Sequence, residues 1–151
     1  MTGYAVYNNE GNVTVTNSSL ISSNSIGTVY NVGWEGMALT ISGGQVNNTG
    51  NGPAIYSDGG KVVLKDGAVL TSQCTTDYKG TVTIWGNKTS ELLILTVSNN
   101  VTIQNTAETG VGIYNRVYNS TTGTIAITNK VTVIGGGYAM LALIQQEIVR
   151  L

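Results

Sequence analysis

Residues 52–70 have the sequence GPAIYSDGGKVVLKDGAVL, in which three short apolar runs are separated by two glycine-containing breaks. The breaks, Asp58-Gly59-Gly60 and Asp66-Gly67, consist of residues that favour tight turns. Val62 and Leu64 occupy alternate positions of the middle run, and this spacing is typical of a strand that buries one face. The stretch therefore predicts three short strands joined at two corners.

The same three-part arrangement recurs along the chain of 151 residues, and an aromatic near the end of each first run marks it at Tyr7, Tyr30, Tyr56, Trp85 and Tyr114. Spacings of 23, 26, 29 and 29 residues between these aromatics indicate stacked repeats with insertions. The second runs supply inward pairs at Val13/Val15, Leu39/Ile41, Val62/Leu64, Leu95/Val97 and Ile125/Ile127, and the third runs lie around Leu20, Val46, Val69, Val101/Ile103 and Val131/Val133. We predict an all-β parallel β-solenoid of about five coils of 23–29 residues, in which equivalent strands of successive coils pair.

Alternation within the first runs assigns residues to the two faces of the predicted first strands. The inward positions are Val6, Val29, Ile55, Ile84 and Ile113, which places the five aromatics on the outer face. The residues that follow, at the corner, are Asn8, Asn31, Ser57, Gly86 and Asn115. Asparagine tolerates a left-handed backbone and its amide can bond an equivalent amide one coil away, so we expect these residues to stack and hold the corner.

The composition excludes several classes of partner. Charged residues make up 10% of the chain, the net charge is −1 and no basic run is present, so nucleic acid and anionic membranes are not expected partners. With no histidine and a single cysteine, Cys74, the chain cannot build a metal site from these two residue types, and no cofactor is predicted. The closing apolar stretch is too short and too polar to span a bilayer, so membrane insertion is not expected.

Residues 138–151 differ in composition from residues 1–137, which hold the repeats. They contain the helix formers Ala, Met, Leu, Gln and Glu that are scarce elsewhere, with apolar residues three to four positions apart. We predict a short C-terminal capping helix over the last coil, and a truncated sixth coil is the alternative. Because the chain opens in the middle of a repeat, we also expect either a piece of a larger protein or end-to-end self-association.

Loops at the corner between the first and second strands vary most in length, and equivalent loops of a solenoid emerge along one edge. This edge is expected to collect Trp34, Glu35, Asp58, Lys88, Glu91, Arg116 and Tyr118. Uneven loops on one edge are where repeat folds commonly carry binding sites. The predicted ligand-binding residues are Trp34, Tyr118 and Arg116 in the loops, with Trp85 and Tyr56 of the outer aromatic file. The alternative for the aromatic file is that its rings stack only on one another.

Carboxylates are the candidates for catalysis, because a polysaccharide lyase needs them around Ca²⁺ and a glycosidase needs a pair across the scissile bond. The third repeat supplies Asp58, Asp66 and Asp77, with Lys65 beside Asp66. Two of these aspartates belong to ordinary turn dipeptides, and neighbouring repeats have no carboxylate at the equivalent second-strand position. No catalytic residue is predicted, and the chain is expected not to be an enzyme.

Outward positions of the second strands form two polar files. They are Thr14, Thr40, Val63, Thr96 and Ala126, and Thr16, Ser42, Lys65, Ser98 and Thr128. A flat array of threonines can hold ordered water, which makes ice binding a further hypothesis. Val63, Lys65 and Ala126 interrupt the files, and outward threonine is common in strands.

Three phrases of the chain resemble the right-handed β-helix repeats of the pectate-lyase-like superfamily, more closely its adhesin-like and autotransporter-passenger members. They are VTVTNSSLISSN at 13–24, GPAIYSDGGKVVLKDGAVL at 52–70 and VGIYN at 111–115. The resemblance implies a right-handed parallel β-helix located outside the cell or on its surface, which binds or cleaves polysaccharide. We expect a non-catalytic adhesin-like module, structural or glycan-binding. A polysaccharide lyase or hydrolase is the first alternative, and an ice-binding solenoid is the second.

Overall fold

A computed structural model describes residues 3–86, 93–118 and 124–145. Sixteen short strands lie in these ranges. Their bounds are β1 Val6–Asn9, β2 Val13–Thr16, β3 Ser19–Ser22, β4 Val29–Val32, β5 Ala38–Ser42, β6 Gln45–Asn48, β7 Ile55–Asp58, β8 Lys61–Lys65, β9 Val69–Ser72, β10 Val82–Gly86, β11 Leu93–Ser98, β12 Thr102–Asn105, β13 Val111–Tyr118, β14 Thr124–Thr128, β15 Thr132–Ile134 and β16 Tyr138–Gln145.

The strands form three parallel sheets, because each strand pairs with the strand three places earlier or later in the chain. The first sheet has the order β1-β4-β7-β10-β13-β16, the second β14-β11-β8-β5-β2 and the third β15-β12-β9-β6-β3. Three consecutive strands therefore make one coil, and coils 1 to 5 begin at β1, β4, β7, β10 and β13. The predicted parallel β-solenoid of about five coils is confirmed, and β16 adds a sixth strand to the first sheet.

Four files of side chains in register form most of the core inside the coils, although Ile127, at the end of one file, is 38% exposed. In coil order the files are Val6, Val29, Ile55, Val82, Ile113; Val13, Leu39, Val62, Leu95, Ile125; Val15, Ile41, Leu64, Val97, Ile127; and Leu20, Val46, Leu70, Ile103, Val133. Members from coils 2 to 4 are buried. The predicted second-strand pairs thus occupy equivalent positions, whereas in the third strand of coil 3 the core residue is Leu70 and not Val69.

Coil 4 enters the first sheet in a register that the aromatic spacing does not predict. The pairs between β10 and β7 are Val82 with Ile55, Thr83 with Tyr56, Ile84 with Ser57 and Trp85 with Asp58. Thr83 therefore takes the predicted place of Trp85 in the aromatic file, and Ile84 takes the predicted place of Gly86 at the corner. A shift of two residues keeps every side chain on its own face, so alternation alone does not detect it.

Polar side chains stack along the corner after the first strands, as predicted, over coils 1 to 3. Asn8 Nδ2 donates to Asn31 Oδ1 at 2.7 Å, and Asn31 Nδ2 donates to Ser57 Oγ at 2.9 Å. All three residues are buried, so the hydrogen bonds satisfy groups that water does not reach. The stack ends at Ile84, which is buried and apolar.

Left-handed backbone marks the corner between the second and third strands in each coil. The first residue of each turn has a positive φ: Asn17 46°, Gly43 68°, Asp66 57°, Asn99 59° and Asn129 57°. Glycine, asparagine and aspartate are the residues that adopt this conformation most readily. The repeated turn signals therefore correspond to one structural requirement, which recurs once per coil.

The predicted C-terminal helix is wrong for residues 138–145, which form strand β16. This strand pairs in parallel with β13, for example Ile113 with Met140. Helix propensity is a weak preference, and the unpaired edge of β13 offers backbone partners for a strand instead. The truncated sixth coil, the alternative, agrees with β16, while residues 146–151 lie outside the described part. No helix of the described residues is long and apolar enough to cross a membrane.

Candidate functional site

An aromatic ladder, Tyr4, Tyr7, Tyr30, Tyr56 and Trp85, runs along the outer face of the first sheet. The ring centroids are 5.7 Å apart between Tyr7 and Tyr30, 5.1 Å between Tyr30 and Tyr56, and 6.5 Å between Tyr56 and Trp85. Tyr4 also packs on Tyr7 and Tyr30, at 5.5 and 5.0 Å. The interpretation that the outer rings stack on one another is therefore confirmed for Tyr7, Tyr30, Tyr56 and Trp85, whereas Tyr114 packs against Tyr78. Stacking covers ring faces with neighbouring rings, so the middle of the ladder presents mainly ring edges to solvent.

Arg116 continues the ladder into coil 5. It pairs with Trp85 across β10 and β13, and its Cζ lies 4.5 Å from the centre of the Trp85 rings. The same Cζ lies 5.6 Å from the ring centre of Tyr78. A guanidinium over an aromatic face is attracted by the ring quadrupole, an interaction of about 0.5–1 kcal/mol at exposed sites. Arg116 thus joins the end of the ladder to the loop that carries Tyr78.

Residues 73–81, between β9 and β10, form what we call the crossing loop. It contains nine residues, whereas the equivalent loops before β4, β7, β13 and β16 contain six, six, five and three. Lys79 Nζ lies 5.7 Å from the ring centre of Tyr56 and donates to the Ser25 carbonyl at 3.3 Å. The Thr75 amide donates to Asn51 Oδ1 at 2.7 Å. This loop of coil 3 therefore contacts coil 1 through Ser25 and coil 2 through Asn51.

The crossing loop also covers Tyr114 in coil 5. Tyr114 occupies an outer position of the first sheet, as predicted, yet only 1% of its surface is exposed. The ring of Tyr78 packs edge-on against it, with 6.4 Å between the centroids and 72° between the planes. Tyr78 has a φ of 61°, a backbone conformation that bulky residues seldom adopt.

A cleft of about 160 Å³ lies between the crossing loop and the strands β13 and β16. Its aromatic walls come from Tyr78, Tyr114 and Tyr138, and Cys74, a buried residue of the crossing loop, also lines it. Burial raises the pKa of the Cys74 thiol, so the thiol stays protonated at neutral pH.

The structure brings together three of the five predicted ligand-binding residues, namely Tyr56, Trp85 and Arg116. Trp34 lies apart from them in the chain, in the loop between β4 and β5 of coil 2, with 46% of its surface exposed. The backbone of Tyr118 ends β13, but its side chain lies outside the described residues. Lys88 and Glu91, which were expected at the same edge, also lie outside the described residues.

Sequence reasoning missed Tyr78, Lys79 and Tyr138. The sequence feature that could have indicated them is the length of the crossing loop. It is longer than the other described loops that join the third strand of one coil to the first strand of the next. The predicted binding edge lies instead at the corner between the first and second strands, where loop lengths vary most. Length predicts that a loop projects, but it does not predict that the loop folds back over the first sheet.

The three aspartates of coil 3 lie at three different corners. Asp58 ends β7, Asp66 lies between β8 and β9, and Asp77 lies in the crossing loop. The five residues of β8 separate the first two corners by roughly 16 Å at about 3.3 Å per residue. Paired glycosidase carboxylates lie about 5–9.5 Å apart, which this spacing exceeds. Of the described residues, no three His, Cys, Asp or Glu side chains form a group that could hold a metal ion.

The outward file of the second sheet has the predicted register. Thr14, Thr40, Val63, Thr96 and Ala126 are in register across the five coils. Val63 and Ala126 therefore lie directly in the file and interrupt its row of hydroxyl groups.

The comparisons with known proteins add no relative to this description. The chain matches no family model, no curated protein and no solved structure. The site is therefore interpreted from its own geometry.

Proposed function

We propose that this chain is a non-catalytic β-solenoid module of adhesin type, located outside the cell or on its surface, which binds glycan along the outer face of the first sheet. The observation that carries the proposal is the contiguous contact of Tyr56, Trp85 and Arg116. Sugar oxygens are attracted to the partly positive edges of aromatic rings, and they accept hydrogen bonds from a guanidinium. These three side chains offer both kinds of contact side by side.

Backbone pairing supports the proposal because it fixes the spacing of these side chains. Tyr56, Trp85 and Arg116 belong to β7, β10 and β13, three adjacent strands of one sheet. Adjacent strands lie about 4.8 Å apart, and strands hold side chains more rigidly than loops do. A preorganised surface of this kind loses little conformational entropy when it binds.

We further propose that the coil is right-handed and that the chain is a distant member of the pectate-lyase-like superfamily. Crossovers between parallel strands of one sheet are right-handed in the great majority of proteins. The three phrases at 13–24, 52–70 and 111–115 support the family assignment. A crystal structure at moderate resolution tests the hand, and a left-handed coil would remove both parts of this proposal.

A glycan array tests the binding function. The wild-type chain is expected to retain a subset of glycans, and Trp85→Ala and Arg116→Ala are each expected to reduce the retained signal. Trp34→Ala is the matched control for loss of an exposed indole, since Trp34 lies on a loop of coil 2. No retention of any glycan by the wild-type chain would overturn the glycan-binding function.

Enzyme assays test the non-catalytic part of the proposal. The separation of Asp58 and Asp66 supports it, because these two carboxylates are too far apart to act as a pair. Incubation with polygalacturonate and Ca²⁺ is expected to yield no unsaturated uronate above a blank without protein. Formation of that product would identify a lyase. Thermal hysteresis is likewise expected to be absent, since Val63 and Ala126 interrupt the hydroxyl file.

A further inference from the structure

The cleft beside the crossing loop has the size of a site for one ring. Its volume is about 160 Å³. Pockets for drug-sized ligands are about 300–1,000 Å³, so this cleft is too small for a chain of several rings. It lies on the same sheet as Tyr56, Trp85 and Arg116, next to the ring of Tyr78 that Arg116 contacts.

The aromatic residues of the cleft differ from those of the ladder in exposure. Tyr78 and Tyr138 have 58% and 61% of their surface exposed, while Tyr114, which also lines the cleft, is buried. A ladder ring in the middle of the stack has neighbouring rings on both sides, as Tyr30 has. Tyr138, and the part of the Tyr78 ring that Arg116 and Tyr114 leave exposed, therefore present the aromatic surface that a stacking ligand needs.

Backbone conformation and side-chain packing hold Tyr78 at this position. Its φ of 61° is unfavourable for a bulky residue, and such outliers persist only where surrounding contacts maintain them. Those contacts are the edge-on packing against Tyr114 and the guanidinium of Arg116. The ring is thus fixed at the cleft before any ligand arrives.

The polar groups at the cleft include both hydrogen-bond acceptors and donors. The hydroxyls of Thr75 and Thr76 already donate to Asn51, at 3.1 and 3.0 Å, which leaves their oxygen lone pairs to accept. Asp77 is exposed and adds a carboxylate residue to the lining. The ammonium of Lys79 donates to the Ser25 carbonyl and lies over Tyr56. The lining thus holds one carboxylate and one ammonium, whose charges balance, so the cleft suits a hydroxylated ligand without net charge.

We propose that this cleft binds one neutral pyranose ring of the glycan. The C–H face of the ring packs on Tyr78 and Tyr138, since partly positive C–H groups are attracted to the negative face of an aromatic ring. Its hydroxyls donate to the threonine oxygens and to the Asp77 carboxylate. This inference rests on the proposed function and adds to it a subsite, a ring size and a charge preference.

Titration of methyl hexopyranosides, followed by saturation-transfer NMR, tests the subsite. Methyl glucoside, galactoside and mannoside are offered separately, with methyl glucuronide and adenosine as an acidic ring and an aromatic ring. At least one neutral hexoside is expected to bind, and Tyr138→Ala is expected to weaken it by about tenfold or more. Tyr78→Gly removes the second ring and suits the positive φ, so it is expected to weaken binding without unfolding the loop.

Ile21→Ala is the control, because Ile21 is a large side chain of similar exposure, 62%, that lies on the third sheet in coil 1. Its hexoside affinity is expected to equal that of the wild type. Three results would overturn the subsite: no hexoside binds, glucuronide or adenosine binds more tightly than every neutral hexoside, or Tyr138→Ala and Tyr78→Gly bind as the wild type does. If both cleft variants retain glycans on the array and Trp85→Ala does not, the subsite alone is overturned. If the wild-type chain retains no glycan on the array, the proposed function is overturned.

Discussion

Coil 1 and coil 3 are built from the same three strands, yet they bury very different cores. In coil 3, Ile55, Val62, Leu64 and Leu70 are each 0% exposed. Their equivalents in coil 1 are only partly buried: Val6, Val13, Val15 and Leu20. Coil 3 has a neighbour on both sides, while the described part of coil 1 pairs with coil 2 alone. Burial in this fold is therefore a property of coil contacts, and stability is expected to follow nearest-neighbour terms.

Leucine substitutions in one file of the core would test this comparison most directly. Leu20 and Leu70 are the same residue type in the same third-sheet file, in coils 1 and 3. Leu70→Ala is expected to lower the free energy of unfolding by about 2–5 kcal/mol, because it leaves a cavity in a fully packed layer. Leu20→Ala is expected to cost less than half as much. Urea unfolding of both variants measures the difference, and equal losses would contradict the nearest-neighbour account.

The crossing loop is an exception to this nearest-neighbour account, because it joins coil 3 directly to coil 1 across coil 2. Lys79 reaches the Ser25 carbonyl, and its ammonium lies over Tyr56. Lys79→Ala removes the hydrogen bond to Ser25 and is expected to lower the protection of coil 1 amides by about 0.5–1 kcal/mol, roughly a two- to fivefold increase in their opening. Native-state hydrogen exchange measures the effect, and amides of coil 5 serve as an internal reference.

Lys61→Ala is the control for the loss of a positive charge, since Lys61 begins β8 at another corner of coil 3. It is expected to leave the exchange of coil 1 unchanged. If Lys79→Ala and Lys61→Ala affect coil 1 equally, the effect belongs to net charge and not to the crossing loop.

Alternation and turn chemistry predict the coils of this protein well, because both depend on local residue pairs. The inward pairs Val62/Leu64 and Leu95/Val97 follow from burial, which distinguishes the two faces of a strand. Burial does not distinguish a register from one shifted by two residues, which is why Trp85 and not Thr83 was assigned to the aromatic file. The prediction of a C-terminal helix was wrong for a related reason. Helix propensity describes residues within one segment, whereas β16 forms because its backbone pairs with β13, a distant segment of the chain.

The candidate site was predicted only in part, and the missing half depends on the path of one loop. Tyr56, Trp85 and Arg116 come together because their strands are adjacent, which a repeat pattern can predict. Tyr78 and Lys79 join them because the crossing loop turns back over the first sheet. That path is decided by contacts with Asn51 and Ser25 in earlier coils, and no local pattern encodes such contacts.

Side chains of neighbouring coils also form hydrogen bonds at the corner after the second strands, where they are exposed to solvent. We expect these hydrogen bonds to contribute less to stability than the buried contacts of the core. Asn99 Nδ2 donates to Asp66 Oδ1 at 3.1 Å and Ser42 Oγ donates to Asp66 Oδ2 at 2.8 Å. These hydrogen bonds, that from Asn99 first, lower the pKa of the Asp66 carboxyl. A carboxyl whose pKa is lowered by folding adds stability above its unfolded pKa of about 3.9, and that stability is lost as the pH falls through the folded pKa.

Near neutral pH the stabilising contribution of Asp66 is therefore expected not to vary with pH, and it declines only in acid, below about pH 4. Asn99→Gly retains the left-handed turn but removes the main donor, so it is expected to raise the Asp66 pKa more than Ser42→Ala does. Carboxyl ¹³C NMR titration of Asp66 measures both variants. The effect of either variant on the free energy of unfolding is expected to be smaller than that of Leu70→Ala or Lys79→Ala. Solvent screens the exposed Asp66 carboxylate, whereas the Leu70 side chain is buried away from solvent. A larger rise with Ser42→Ala would show that the hydroxyl, and not the amide one coil away, holds the charge.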